Sequence, residues 1–410
     1  MKVLQINCVY RKGSTGKIVH NIHEELMQQN IESIVCYGRG ERVAENNVYK
    51  VCSEIYAKLN NLRSRMTGIM YGGCFISTCN LISIIKKENP DIVHLHCING
   101  FFVNIYQLVK WLKNNNIKTV LTLHAEFMYT GGCSYALECE KWHEGCVKCP
   151  RLKRETKSLL FDRTHTMWKR MKKAFEGFEE NLTVVSVSPW LMQRVKQSKI
   201  LGNKRHSVIL NGLDIDKYRL YNTNELRKKH DIRNKKILFH VTPYFCNEPN
   251  HIKGGYYILQ LAELMKSENI VIVVAGKYDS TLTVPSHMIM LGEISDQQEL
   301  AKYYSMADVT ILTSKQETFS MVAVESLCCG TPVVGFKAGA PEQITIPEYC
   351  DFVEYGNLEK LKSAIDKWLN VGVLKEEICA ITTRKYTKEK MVTEYLELYS
   401  KIERDKCDEF

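Results

Sequence analysis

The sequence predicts an α/β protein built from two doubly wound, Rossmann-like domains. Its length, an alternation of apolar runs with amphipathic stretches, and a restart of that rhythm midway carry the prediction. At 410 residues the chain exceeds what one hydrophobic core usually supports. In the first half, short β-branched runs at residues 3–6, 33–37, 92–96, 119–124 and 182–186 alternate with segments of helical period. Parallel strands joined by crossover helices require this pattern. The second half repeats it at 236–241, 270–275, 288–291, 309–312 and 332–335. The junction is placed in VILNGLDIDKYR, where Asn211 and Gly212 break a strand. The expected N-terminal domain spans residues 1–205, with a cysteine-rich insertion at about 130–150 and a basic amphipathic segment at 151–175. A C-terminal domain follows at 206–385, then a helix at 386–410 expected to pack back on the first domain.

Charge is positive and uneven. Fifty-six basic against 46 acidic residues leave +10, and residues 151–175 hold nine Lys or Arg against Glu155 and Asp162. Leu159, Leu160, Phe161, Met167, Trp168 and Met171 interleave with those cations. The segment reads either as an amphipathic helix lying on an anionic membrane or as a solvated helix face. It carries no recognition-helix or RNA-binding signature, so nucleic acid is not an expected partner. The start, MKVLQINCVY, has no secretory pattern, and no run approaches about 18 apolar residues. A cytoplasmic location is expected, at the inner face of the membrane if lipid is contacted, with thiols reduced. Of the 16 cysteines, most, such as Cys8, Cys36, Cys97 and Cys328, sit in apolar runs as small hydrophobes. Cys133, Cys139, Cys146 and Cys149, with His143 among them, form the one organised group. Four thiolates suit a closed structural zinc site; free packed thiols are the alternative.

The richest segment is DVTILTSKQETFSMVAVESLCCGTPVVGFKAGAPE, residues 308–342. It reads as a buried strand, a turn at Thr318–Ser320, and a helix from Met321 stopped by Gly330 and Pro332. The first N–H groups of such a helix point beyond the strand ends, where hydrogen bonding and the helix dipole favour a diphosphate. Glu325, inside the helix, is placed to accept from ribose hydroxyls. Lys253 lies where a glycine turn opens a helix after a strand, so its cation faces the same crevice as Glu317. RKGSTGKI, after the first strand, is not a phosphate-binding P-loop. Arg11 stands where glycine is needed, and Ile18 where Ser or Thr would hold magnesium. A glycine-bearing turn at Gly16 remains. His124 ends the strand KTVLTLH at the carboxyl edge of the sheet, whereas His94 and His96 read as satisfied core histidines.

Glu317 and Glu325, with seven residues between them, resemble the E-x7-E signature of retaining family 4 glycosyltransferases. The flanks LGEISDQQELAKYYSMADVTIL, GTPVVGF and AGAPE, the NGLD junction and the Lys253–Gly254 pair resemble that family in order. The wording TGGC and GCVKCP is similar to a cysteine-rich insertion in a bacterial polysaccharide-building branch. The resemblance implies the GT-B fold, two Rossmann-like domains facing across an interdomain cleft. It implies a nucleotide-diphosphate sugar as donor, with no cofactor required for catalysis. Carried over by position, Glu317 and His124 would touch the sugar, Glu325 the ribose, and Lys253, Thr15 and Gly16 the diphosphate. Phe319, Ser320 and Met321 would line the turn. The family usually has glycine where Ser320 stands, an arginine where Asn247 stands, and Asp where Ala125 stands. The implied reaction moves a hexose, with retention, to a hydroxyl of a lipid-linked glycan in surface polysaccharide biosynthesis. Two alternatives are a nucleotide-sugar epimerase of the same architecture and a basic, zinc-bearing nucleic-acid or adaptor module resting on residues 133–175.

Overall fold

The computed structural model describes residues 1–266 and 268–404. The chain divides into two compact units, Met1–Leu210 joined by the segment from Met391, and Asn211–Lys390. The first unit holds β1 (Lys2–Asn7), β2 (Glu32–Tyr37), β3 (Val48–Lys50), β4 (Ile92–Leu95), β5 (Thr119–Leu123), β6 (Leu182–Ser186) and β7 (Arg205–Val208). All pair in parallel, in the order β3-β2-β1-β4-β5-β6-β7, with Leu4 flanked by Ile34 and Val93. The second unit holds β8 (Lys236–Phe245), β9 (Ile270–Tyr278), β10 (Met288–Gly292), β11 (Val309–Leu312), β12 (Val333–Phe336) and β13 (Cys350–Val353). These too are parallel, ordered β10-β9-β8-β11-β12-β13.

In each sheet the order reverses once, between β1 and β4 and between β8 and β11. Chain leaving the two strands at such a point diverges to opposite faces, which opens a crevice beyond their carboxyl ends. β4, β5, β6, β11 and β12 are buried along their whole length, as a sheet covered on both faces demands. The helix Lys388–Arg404 places Met391, Val392, Tyr395 and Tyr399 in the first unit's core beside Val3, Ile22, Val120 and Val185. The unit limits fall at 210/211 and 390/391, against 205/206 and 385/386 read from the sequence.

The basic segment departs from expectation. It forms a short helix, Leu152–Glu155, and a separate one, Thr164–Phe175, in which Met167, Trp168, Met171 and Phe175 are buried. That apolar face is therefore core and not a membrane face, whereas Leu159, Leu160 and Phe161 in the intervening loop are exposed. Among the described residues no helix is long and apolar enough to cross a membrane.

Candidate active site

The second unit assembles a cation, a carboxylate and a helix N-terminus beyond β8 and β11. After β8 the chain turns through Lys253 and Gly254 into the helix Gly255–Leu264. Gly254 has φ +67°, and a Cβ there would lie 2.1 Å from the Thr313 carbonyl oxygen beyond β11. Glycine is thus imposed twice, by backbone conformation and by close approach. Thr313 also donates to the Lys253 carbonyl at 3.1 Å, tying the two loops together. The Lys253 ammonium donates to Glu317 Oε1 at 2.6 Å. The Glu317 backbone is clamped in turn: its N–H donates to the Ala338 carbonyl at 2.8 Å, and its carbonyl accepts from Ala340 at 3.2 Å. Lys253 and Glu317, placed by the sequence on one crevice, are therefore an ion pair.

Ser320 caps the helix Met321–Cys328, its hydroxyl accepting from the Ala323 N–H at 3.4 Å. Its φ of 84° lies in the left-handed region, which is why glycine suits this position. Ser320→Gly is expected to stabilise the chain by roughly 0.5 kcal/mol. Relief of ~1–2 kcal/mol of strain outweighs the unfolded chain's added freedom and a few tenths for the lost cap. The urea midpoint of the full chain measures it. Phe319 is buried and packs edge-on to Tyr386. Further along the helix, Glu325 Oε2 accepts from the Tyr304 hydroxyl at 3.0 Å. Burial, then the Glu325 carboxylate, raises both the Tyr304 and the Tyr218 hydroxyls above the usual tyrosine range. Neither tyrosine was foreseen, because no motif links the helix Gln297–Met306 or the junction segment to Glu325.

In the first unit, Gly16 lies in the first turn of the helix Gly13–Gln28, and its carbonyl accepts from Arg11 at 3.0 Å. A Cβ there would meet Val9 at 3.1 Å, so local packing of the loop against the helix suffices to explain this glycine. Thr15 receives a hydrogen bond from Asn7 at 3.4 Å, and Asn7 also accepts from the Cys97 N–H at 3.0 Å, bridging the ends of β1 and β4.

His124 ends a row of histidines. The His96 ring stacks between those of His94 and His124, with centroids 3.8 and 5.6 Å away. The Gln5 side-chain amide donates to the Val19 carbonyl at 3.5 Å, which leaves its Oε1 to accept from His96 Nε2 at 3.2 Å. With His96 protonated on Nε2, its Nδ1 must accept from His124 Nε2 at 3.3 Å. His124 is thereby fixed as the Nε2–H tautomer, with Nδ1 its accepting nitrogen. Burial lowers His124 to about 4 and holds His94 and His96 well below the usual histidine range. Gln5 was missed, although a glutamine inside the apolar strand VLQIN was the available signal.

Glu126 is fully buried and satisfied. It accepts from Tyr129 at 2.7 Å, from the Ala136 N–H at 2.5 Å and from Arg194 at 2.7 Å. It anchors the cysteine-rich segment and does not extend the His124 site. The zinc cage expected there is not formed: among the described residues no three His, Cys, Asp or Glu are gathered to hold a metal. The Cys146 sulfur instead accepts from the Gly131 N–H at 3.1 Å. Cys139, half-buried, is a free thiol.

Two tandem units with these strand orders and a phosphate-suited turn define the GT-B class of α/β enzymes. Residues 15–217 match the model described as Glycosyltransferase Family 4, and residues 222–402 the model described as glycosyl transferases group 1. The chain belongs to the family 4 glycosyltransferases and is a glycosyltransferase. It is 22% identical over 426 aligned residues to WcaC of Escherichia coli K12, a provisionally assigned colanic acid biosynthesis glycosyl transferase, covering 98% of this chain and 100% of that protein. Sucrose-phosphate synthase from Thermosynechococcus elongatus shares the fold with a TM-score of 0.69 at 14% identity, over 99% of this chain and 100% of that one. Anabaena HepE, solved with UDP-glucose, does so with a TM-score of 0.64 at 14% identity, over 98% and 100%. The adaptor reading of residues 133–175 falls with this assignment.

Proposed function

We propose that the protein is a retaining hexosyltransferase that moves a sugar from a nucleotide diphosphate to a hydroxyl of a lipid-linked glycan during surface polysaccharide assembly. The carrying observation is the gathering of Lys253, Glu317 and the Ser320-capped helix beyond β8 and β11. An ammonium and a set of helix N–H groups complement a diphosphate and stabilise the charge it gains on leaving. Likeness to WcaC, and the UDP-glucose complex of HepE, support the substrate class.

In this reading Lys253 and the first amides of the helix at Met321 take the diphosphate. Glu317 takes sugar hydroxyls. Glu325, oriented by Tyr304, takes the ribose. The first unit offers Thr15 and Gly16 at the first loop, and His124 with Nδ1 as its accepting nitrogen, as the residues that match the family's sugar-nucleotide positions. No metal takes part, and the enzyme works at the inner face of the membrane. A thermal-shift panel of UDP, GDP, ADP and TDP in EDTA tests the donor site. One diphosphate at 100 times its Kd should stabilise the fold by about 2.7 kcal/mol. No shift with any of them, or a shift abolished by EDTA, removes this reading. Product anomeric configuration, read by NMR, decides retention.

A further inference from the structure

The helix Glu54–Thr67 is turned inside out. Only Ala57 and Ser64 of this helix are buried. Ile55, Leu59, Leu62 and Met66 are 74, 59, 51 and 54% exposed. Their spacing of four, three and four residues puts them on one stripe, opposite the buried pair. A soluble helix ordinarily buries such a stripe, and contiguous exposed apolar area marks an interaction surface.

The stripe is extended at both ends. At the N-terminal end, the Ile76 N–H reaches the Tyr56 hydroxyl at 3.3 Å, bringing Phe75 and Ile76, 52 and 73% exposed, alongside. At the other, the Leu159 N–H donates to the Arg65 carbonyl at 2.9 Å, so exposed Leu160 and Phe161 continue the surface. Cations frame it. Lys58 and Arg65 lie along one flank of the stripe by helical position and Arg63 along the other, while Lys157 and Arg163 bracket the Leu159–Phe161 loop. The helix's one acid, Glu54, is paired with Arg39 at 2.8 Å.

We propose that this face docks on an anionic lipid bilayer, with the stripe and the Leu160–Phe161 loop in the acyl boundary and the arginines and lysines at lipid phosphates. The charge frame selects this occupant. A second copy of the chain would bring the same cations face to face across a two-fold axis, whereas a phosphatidylglycerol surface neutralises them. The inference deepens the lipid-linked acceptor reading and replaces the Thr164–Phe175 helix, whose apolar face is used up in the core, as the membrane contact.

Flotation of the full chain with vesicles tests it without any turnover, so failure here is distinct from failure of the transferase reading. The protein should float with vesicles of equal parts phosphatidylglycerol and phosphatidylcholine, at least tenfold less with phosphatidylcholine alone, and less as salt rises. Leu59→Asp with Leu62→Asp should lower partition tenfold or more, and so should Lys58→Glu with Arg65→Glu. Melting temperature should be unchanged in both, because these side chains are exposed. Wild-type protein that stays unbound with both vesicles, variants that float as wild type, or a wild-type dimer that the aspartates convert to monomer would each overturn the proposal.

Discussion

Lys253→Met is expected to lower kcat by about a hundred- to a thousandfold, the usual effect of deleting one preorganised donor to a charge developing in the transition state. Methionine keeps an unbranched apolar stem of similar length and removes the ammonium. The converse substitution should separate binding from chemistry. Lys253 is engaged at 2.6 Å by Glu317, so an arriving diphosphate must compete with that carboxylate. Glu317→Gln weakens the competitor and should tighten nucleoside diphosphate severalfold, while kcat falls because the sugar loses its carboxylate partner. Steady-state kinetics with product-inhibition constants resolve the two. If Lys253→Met leaves kcat within about threefold of wild type, the cation has no part in departure. If Glu317→Gln weakens diphosphate binding, the ion pair is not a competitor but a scaffold.

The central strands and the Glu317–Glu325 segment were legible because burial on both faces writes continuous apolar runs into a sequence. β3 and β13 were not predicted, and β7 was read only as a strand broken at Asn211 and Gly212. Each is an edge strand of three or four residues with one or no fully buried position, so neither an apolar run nor clean alternation marks it. The same logic explains the basic segment, where apolar residues among cations fit either a membrane face or a core helix until burial is known. Cys133–Cys149 failed for a different reason. Thiol spacing records what four sulfurs could reach, but Gly131, Asp162 and Arg151 set where the loop puts them: Gly131 holds the Cys146 sulfur, Asp162 accepts the Cys149 N–H at 2.7 Å, and Arg151 donates to the Tyr135 carbonyl at 3.1 Å. Gly16 is a different case, a residue whose position matches a family role and whose local packing is by itself a sufficient reason for glycine.

The histidine row should make the first unit acid-labile well above the range where carboxylates protonate. His94 is fully buried, bonded to Tyr399 at 2.7 Å through Nδ1 and to Thr122 at 2.7 Å through Nε2; His96 is buried between Gln5 and His124. Tyr395, bonded to Thr122 at 3.0 Å, completes the surroundings, and none of these neighbours supplies a negative charge to hold an imidazolium. Both rings are therefore neutral when folded, yet protonate near 6.5 when the chain unfolds. Below that pH the unfolded state binds more protons than the native state. Stability is thus intact above about 6.5 and falls with pH, by up to about 1.4 kcal/mol per pH unit for each ring. Hydrogen-exchange protection of β4 and β5, corrected for intrinsic rates, should drop by several kcal/mol between pH 7 and pH 5. In His94→Phe the slope should shrink by one ring's share even if the level at pH 7 also falls, since the slope counts protons and the level counts contacts. A pH-independent protection in wild type, or an unaltered slope in the variant, would show that the row carries charge in the folded state, and with it the fixed Nε2–H tautomer of His124 would be lost.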